Sequence, residues 1–155
     1  LCAMAHLDFK QKATHDYAQY FLTLRELKLG DEALKEAFKR MAFNVLAANC
    51  DDHTKNLSFL LDDSGTWQLA PAYDVTHAFN PGGEWTFQHL MSVNGKFSDI
   101  TRGDIESVGD RFLVPGYSGL LRTVEEAVAD WPRFAEKAGL PRSETERIQK
   151  DFPGL

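Results

Sequence analysis

Residues 43–74 read FNVLAANCDDHTKNLSFLLDDSGTWQLAPAYD, and the order of the pieces within them decides the fold. An apolar stretch leads into a polar loop, NCDDHTKN at residues 49–56, which leads into LSFLL at 57–61. The turn DDSG at 62–65 then sends the chain back through TWQLAPAYD at 66–74. Before the loop, Leu34, Ala37, Phe38, Met41, Val45 and Leu46 recur at three- and four-residue steps, which puts them on one face of a helix. LSFLL is too short for a helix and is bounded by turn residues. TWQL starts like a strand, and Pro71 stops it. The two segments therefore read as a short β-hairpin, with Asp74 isolated at its far end.

Working outward, an earlier helix is expected over residues 15–28, capped by Thr14 and closed by Gly30, with Asp31 capping the helix that follows. Residues 80–100 contain NPGGEW and VNGK and read as loop, with a short strand expected at 85–87. Thr101 and Asp104 fit a capping box that opens a helix to about Phe112. A longer helix over 118–138 is expected to break or kink at Pro132 and to close at Gly139. Ser143 and Glu146 read as a second capping box, for a short last helix. The expected fold is one domain over residues 1–155, mainly α with a small β-hairpin.

Composition narrows the function. With 43% hydrophobic and 26% charged residues the chain can bury a core and is not a disordered tail. The net charge of −6 and the lack of any Lys/Arg stripe argue against direct nucleic-acid binding. No apolar run reaches the ~18 residues of a membrane span, and the opening LCAMAHLDFK lacks the charged start and apolar core by which a signal peptide is read. Cys2 and Cys50 have no CxxC or zinc spacing, which favours two free thiols in a reducing cytoplasm. The chain starts on Leu1 and its first residues read like the middle of something, so it is expected to be a piece of a longer protein.

The polar loop has a mechanical reading. Asp51 and Asn56 form D-x-x-x-x-N, and Asp74 follows the hairpin. In phosphoryl transfer one Asp orients a substrate hydroxyl and takes its proton, an Asn a few residues on binds Mg²⁺, and a later Asp binds Mg²⁺ between the phosphates. A hairpin brings its two ends together, so Asn56 and Asp74 can meet at one ion. Lys55 lies between base and metal ligand, where an ammonium can offset phosphoryl charge. Asp74 is expected to be partly buried and therefore to need a partner. Asp52 receives no role, and His77 reads as structural.

These residues carry a resemblance. FNVLAANCDDHTKNLSFLLDDSGTWQLAPAYDVTHAF at 43–79 resembles the catalytic segment of the HipA family, bacterial serine/threonine kinases that act as toxins. LMSVNGKFSDITRGDI at 90–105 and the opening LCAMAHLDFK resemble other segments of that family, so the likeness covers at least residues 1–112. It implies a protein-kinase-like C-terminal (helical) lobe with Asp51 as catalytic aspartate. It implies that His53, Lys55 and Asn56 line the ATP phosphates, that Asn56 and Asp74 are the Mg²⁺ ligands, and that Tyr73 stands beside the nucleotide. It also implies a HipB-like DNA-binding antitoxin as partner, and the best-known family member phosphorylates glutamyl-tRNA synthetase.

A kinase also needs a phosphate-covering loop and a phosphate-binding lysine on an N-terminal lobe. Neither GxGxxG nor GxxxxGK[ST] occurs here, so that ATP-grasping lobe is expected to lie outside this chain, as a separate N-lobe. Weak or no activity is then expected from the chain alone. Two other readings compete. One is a non-catalytic helical module that docks a partner protein. The other is a metal-dependent phosphohydrolase built on Asp51, Asp52, His53, Asp74 and His77.

Overall fold

In the structure, a computed structural model, residues 1–154 are described. Chain order is β1 (His15–Asp16), α1 (Tyr17–Glu26), α2 (Asp31–Leu46), a 3-10 turn (Thr54–Asn56), β2 (Phe59–Leu61), β3 (Trp67–Leu69), β4 (Met91–Ser92), α3 (Arg102–Arg111), α4 (Tyr117–Ala129), α5 (Trp131–Lys137) and α6 (Arg142–Gln149). The fold is mostly helical, as the periodicity implies, with the expected hairpin and a second two-stranded sheet that was not expected. Among the described residues, no helix is long and apolar enough to cross a membrane.

The core forms where α1 and α2 face each other and α4 covers α2. Tyr17, Tyr20, Phe21 and Leu24 of α1 meet Phe38, Met41 and Val45 of α2, with Leu121 of α4 and Ile105 of α3 behind them. All nine are almost fully buried, and large side chains of this kind each contribute about 1.5–3 kcal/mol when removed from water. α3 and α4 approach so closely that a Cβ on Gly109 would lie 2.5 Å from the Tyr117 ring. Only glycine fits there without moving the ring.

The expected hairpin is present. β2 and β3 pair antiparallel with Phe59 opposite Leu69 and Leu61 opposite Trp67. Ala70 N–H donates to Ser58 O at 3.0 Å and carries the pairing toward the loop. Arg40 of α2 donates to Ala70 O at 2.9 Å and fixes the returning strand to the long helix.

Several expected boundaries move. The first helix is capped by Asp16, not Thr14: Asp16 accepts from Ala18 N–H, and Gln19 accepts from Asp16 N–H. Thr14 instead donates to Gln11 O. The left-handed residue that ends α1 is Lys28, at φ +56°, and Gly30 serves as the N-cap of α2, so Asp31 is the first helical residue rather than the cap. No strand forms at 85–87. That stretch is bends, closed by Asn80 N–H to Thr86 O. The strand lies at β4, which pairs parallel with β1 and ties the α1 cap to residues 91–92. The long helix divides at Asp130, which ends α4 and precedes α5, and Pro132 sits in the first turn of α5, where its missing N–H costs nothing. The last helix starts at Arg142 after Pro141 with no side-chain cap, and Glu146 pairs with Arg142 instead of closing a box with Ser143.

The Thr101–Asp104 capping box is present and does more than cap. Asp104 is buried and accepts from Thr101 N–H at 2.8 Å, Thr101 Oγ1 at 2.6 Å, Lys96 Nζ at 2.8 Å and Asn94 Nδ2 at 3.0 Å. Burial by itself raises a carboxyl pKa; these donors more than reverse it and hold Asp104 well below the ordinary carboxylate range. A depressed folded-state pKa adds stability above the unfolded value of ~3.9 that is lost as pH falls through the folded one. Asp104→Asn is therefore expected to cost about 1–3 kcal/mol near neutral pH. Urea melts at stepped pH check this, and the gap to wild type is expected to narrow below about pH 4.

Candidate functional site

The end of α2 and the start of the hairpin hold the polar loop between them. α2 ends through Ala47 and Ala48, the latter left-handed at φ +51°, and the chain then bridges outward, with Cys50 N–H donating to Ala78 O at 3.2 Å. Asp51 follows. Its carbonyl accepts from Asn56 Nδ2 at 3.0 Å, so the two ends of D-x-x-x-x-N are bonded to each other across the 3-10 turn. That bond commits the amide nitrogen of Asn56 and leaves its oxygen for a cation. From the other side, Cys2 N–H donates to Thr54 O at 3.2 Å and buttresses the turn.

Tyr73 closes the site from the far end of the hairpin. Its hydroxyl donates to Lys55 O and lies within hydrogen-bond distance of Ser58 Oγ, which brings the residue before Asn56 against the residue before Asp74. Donor atoms of Asp51, His53 and Asp74 all lie within 4.8 Å of one another. Asn56, His53, Tyr73 and Asp74 line one cleft of about 270 Å³, with Lys39 and Arg40 of α2 on its wall.

Asp74 departs from expectation. It is exposed rather than partly buried, and it sits in the left-handed region at φ +54°. Its apolar neighbours suggested a buried acid, but Pro71 ends the strand pairing and the chain turns outward there. A non-glycine residue in that region is uncommon, and here the turn carries the carboxylate toward Asp51. Lys55 also lies away from the cleft: its ammonium sits over the Phe9 ring, 3.8 Å from the centroid. His77 pairs with Asp151 at 2.9 Å, so the five-residue set Asp51, Asp52, His53, Asp74 and His77 is not gathered at one place.

The residue that sequence reasoning left without a role anchors the loop. Asp52 is 2% exposed. One carboxylate oxygen accepts from Tyr17 Oη at 2.9 Å and from His89 Nδ1 at 3.0 Å, and the other accepts from Leu90 N–H at 2.8 Å. Asn44 Nδ2 donates to Tyr17 Oη at 2.8 Å and Asn49 Nδ2 to Asn44 Oδ1 at 3.0 Å, extending the network to the cleft wall. Burial alone lowers the pKa of His89, but the Asp52 charge and hydrogen bond outweigh it and hold the imidazole well above its ordinary range. Burial and Asp52 together push the Tyr17 hydroxyl up. Neither His89 nor Tyr17 stands out near the motif in sequence. The one faint signal is His89 opening the apolar run LMSV, where a buried imidazole needs a carboxylate.

The donor set suits a hard cation. The gathered donors are the Asp51 and Asp74 carboxylates and a His53 ring nitrogen, and the carboxylates, with the Asn56 side chain on the cleft wall, are Mg²⁺-type ligands that leave room for waters and phosphate oxygens. Among the described residues His53 Nδ1 is buried without a hydrogen-bond partner, so a donor or cation at the cleft has a group to meet.

Asp52→Ala is expected to destabilise the chain by about 3–5 kcal/mol, because it leaves a buried imidazolium unpaired. Guanidinium titration measures the loss, and ¹⁵N shifts of the His89 ring are expected to move toward the neutral form.

Residues 1–153 match the family of HipA-like C-terminal domains. No curated protein matches the chain.

Proposed function

The chain belongs to the HipA-like C-terminal domain family, and on that premise we propose that it is the helical lobe of an ATP- and Mg²⁺-dependent protein serine/threonine kinase of the HipA toxin type. The observation that carries this reading is the convergence of Asp51 and Asp74 within 4.8 Å, together with Asn56 on the cleft that Asp74 lines. These residues lie 23 positions apart, and the hairpin between them gives that span a purpose.

Each group then has a task. Asp51 accepts the proton of a substrate hydroxyl as its oxygen bonds to the γ-phosphorus and the bond to the β–γ bridging oxygen breaks. Asn56 Oδ1 and the Asp74 carboxylate hold Mg²⁺, which supplies neutralisation of phosphate charge. His53 faces the phosphates, and Tyr73 fixes the spacing between the two ligand-bearing segments. Lys39 and Arg40 bring positive charge to the wall, although Glu36 pairs with both. The ~270 Å³ cleft falls just under the ~300–1,000 Å³ of complete ligand sites. It suits the metal–phosphate end of a nucleotide, with adenine held by another lobe. A HipB-like antitoxin, a separate N-lobe and a protein substrate such as glutamyl-tRNA synthetase are the partners this proposal carries from the family resemblance, in a cytoplasmic setting.

A calorimetric titration with Mg²⁺ and a non-hydrolysable ATP analogue tests the reading. Binding is expected only with Mg²⁺, to be weakened at least tenfold by Asp74→Ala, and to stay within about threefold of wild type in Asp51→Asn, because a base acts chiefly in the transition state. Binding indifferent to Mg²⁺ and to Asp74→Ala contradicts it.

A further inference from the structure

Cys50 precedes Asp51 in sequence but faces a different cavity. Its Sγ lies 3.9 Å from His89 Nε2, and His89 Nδ1 lies 3.0 Å from Asp52 Oδ2. The second carboxylate oxygen of Asp52 is held by Leu90 N–H at 2.8 Å, so carboxylate, imidazole and thiol stand in fixed order. With Nδ1 committed to Asp52, Nε2 is the ring edge turned to sulfur. This is the arrangement of an activated nucleophile: a sulfur, a charged imidazole edge beside it and a carboxylate that orients the ring. A buried thiol in purely apolar surroundings is inert. Cys50 is 4% exposed, but it forms part of the wall of a cavity of about 280 Å³ shared with His89, Phe79, Phe87 and Phe97. The metal–phosphate cleft has a different wall, on which Asp52 and His53 appear.

We propose that Cys50, His89 and Asp52 form a second reactive site, in which Cys50 is a nucleophilic thiol that reduces organic hydroperoxides entering the aromatic-walled cavity. The sulfur electron pair attacks one peroxide oxygen. An S–O bond forms, the O–O bond breaks, the departing alkoxide takes the proton of His89 Nε2 and leaves as an alcohol, and the thiol proton replaces it on the ring. Sulfur is oxidised by two electrons to a sulfenic acid, and the peroxide is reduced by two. The aromatic walls favour an apolar hydroperoxide over hydrogen peroxide. This site does not depend on the phosphoryl-transfer reading, since neither Asn56 nor Asp74 takes part.

The chain carries its own control. Cys2 is the more exposed of the two free thiols, and its Sγ donates to the Leu7 carbonyl at 3.0 Å rather than pairing with an imidazole. The native chain is treated briefly with cumene hydroperoxide, trapped with dimedone and mapped by peptide mass spectrometry. Cys50 is expected to be labelled at least tenfold faster than Cys2, with the preference lost in 6 M guanidinium and reduced at least tenfold in His89→Gln. If exposure alone governs reactivity, Cys2 is labelled as fast or faster in the native chain, and the proposal is overturned. The native-to-denatured comparison on wild type decides the matter even if His89→Gln does not fold. Hydrogen peroxide in place of cumene hydroperoxide is expected to give a slower reaction at Cys50, and an equal or faster one overturns the assignment of the apolar oxidant.

Discussion

A carboxylate sealed in a protein core is costly unless every oxygen is engaged and the charge is matched. Asp52 meets that condition with three donors from two parts of the chain: the Tyr17 hydroxyl from α1, and the His89 ring and Leu90 backbone amide from the segment before β4. The neighbours of Asp52 in sequence, Asp51 and His53, are consequently fixed relative to α1 and to the β4 segment. The other bonds of the loop are shorter in reach or lie at its edges: Asn56 to Asp51 O and His53 O within it, and the Asn49–Asn44, Cys50–Ala78, Cys2–Thr54 and Tyr73–Lys55 bonds around it. The polarity of residues 49–56 thus has two sources. One acid, Asp52, faces inward and holds the loop; the other, Asp51, has a carboxylate within 4.8 Å of the donor atoms of His53 and Asp74.

The hairpin makes the second half of the arrangement. Its strands pair over only three residues each, a length that is marginal in isolation. It persists because Arg40 clamps Ala70 to α2 and because Tyr73 bonds back to Lys55. Those two contacts also set the distance between the segment ending at Asn56 and the segment carrying Asp74. α2 therefore serves as both core helix and scaffold: its apolar face packs on α1 and α4 while Arg40 and Lys39 border the cleft.

Much of this was legible in the sequence, for local reasons. The period of α2, the turn at DDSG and the Thr101–Asp104 box each report on contacts a few residues apart, and each appears in the structure. Hairpin geometry led to the expectation that Asn56 and Asp74 meet; the structure puts both on one cleft and brings Asp74 within 4.8 Å of Asp51 and His53. What sequence reasoning missed was long-range. Asp52 finds its partners 35 to 38 residues away, and no periodicity encodes that. The exposure of Asp74 was hidden by its apolar neighbours, because a left-handed turn at a single residue reverses the inside–outside pattern. The capping errors at Thr14 and Ser143 arose because the backbone turn fell two residues from the first plausible cap, at Asp16 and at Pro141.

The central claim is that the hairpin brings Asn56 and Asp74 to a single hard cation presented by a nucleotide. Paramagnetic broadening tests it most directly. With a non-hydrolysable ATP analogue bound and Mn²⁺ replacing Mg²⁺, the backbone amide signals of Asn56 and Asp74 are expected to broaden together at substoichiometric metal, and ahead of those of the exposed acids Asp62 and Asp63. Broadening centred on Asp62 and Asp63, or of only one of the two proposed ligands, would contradict it.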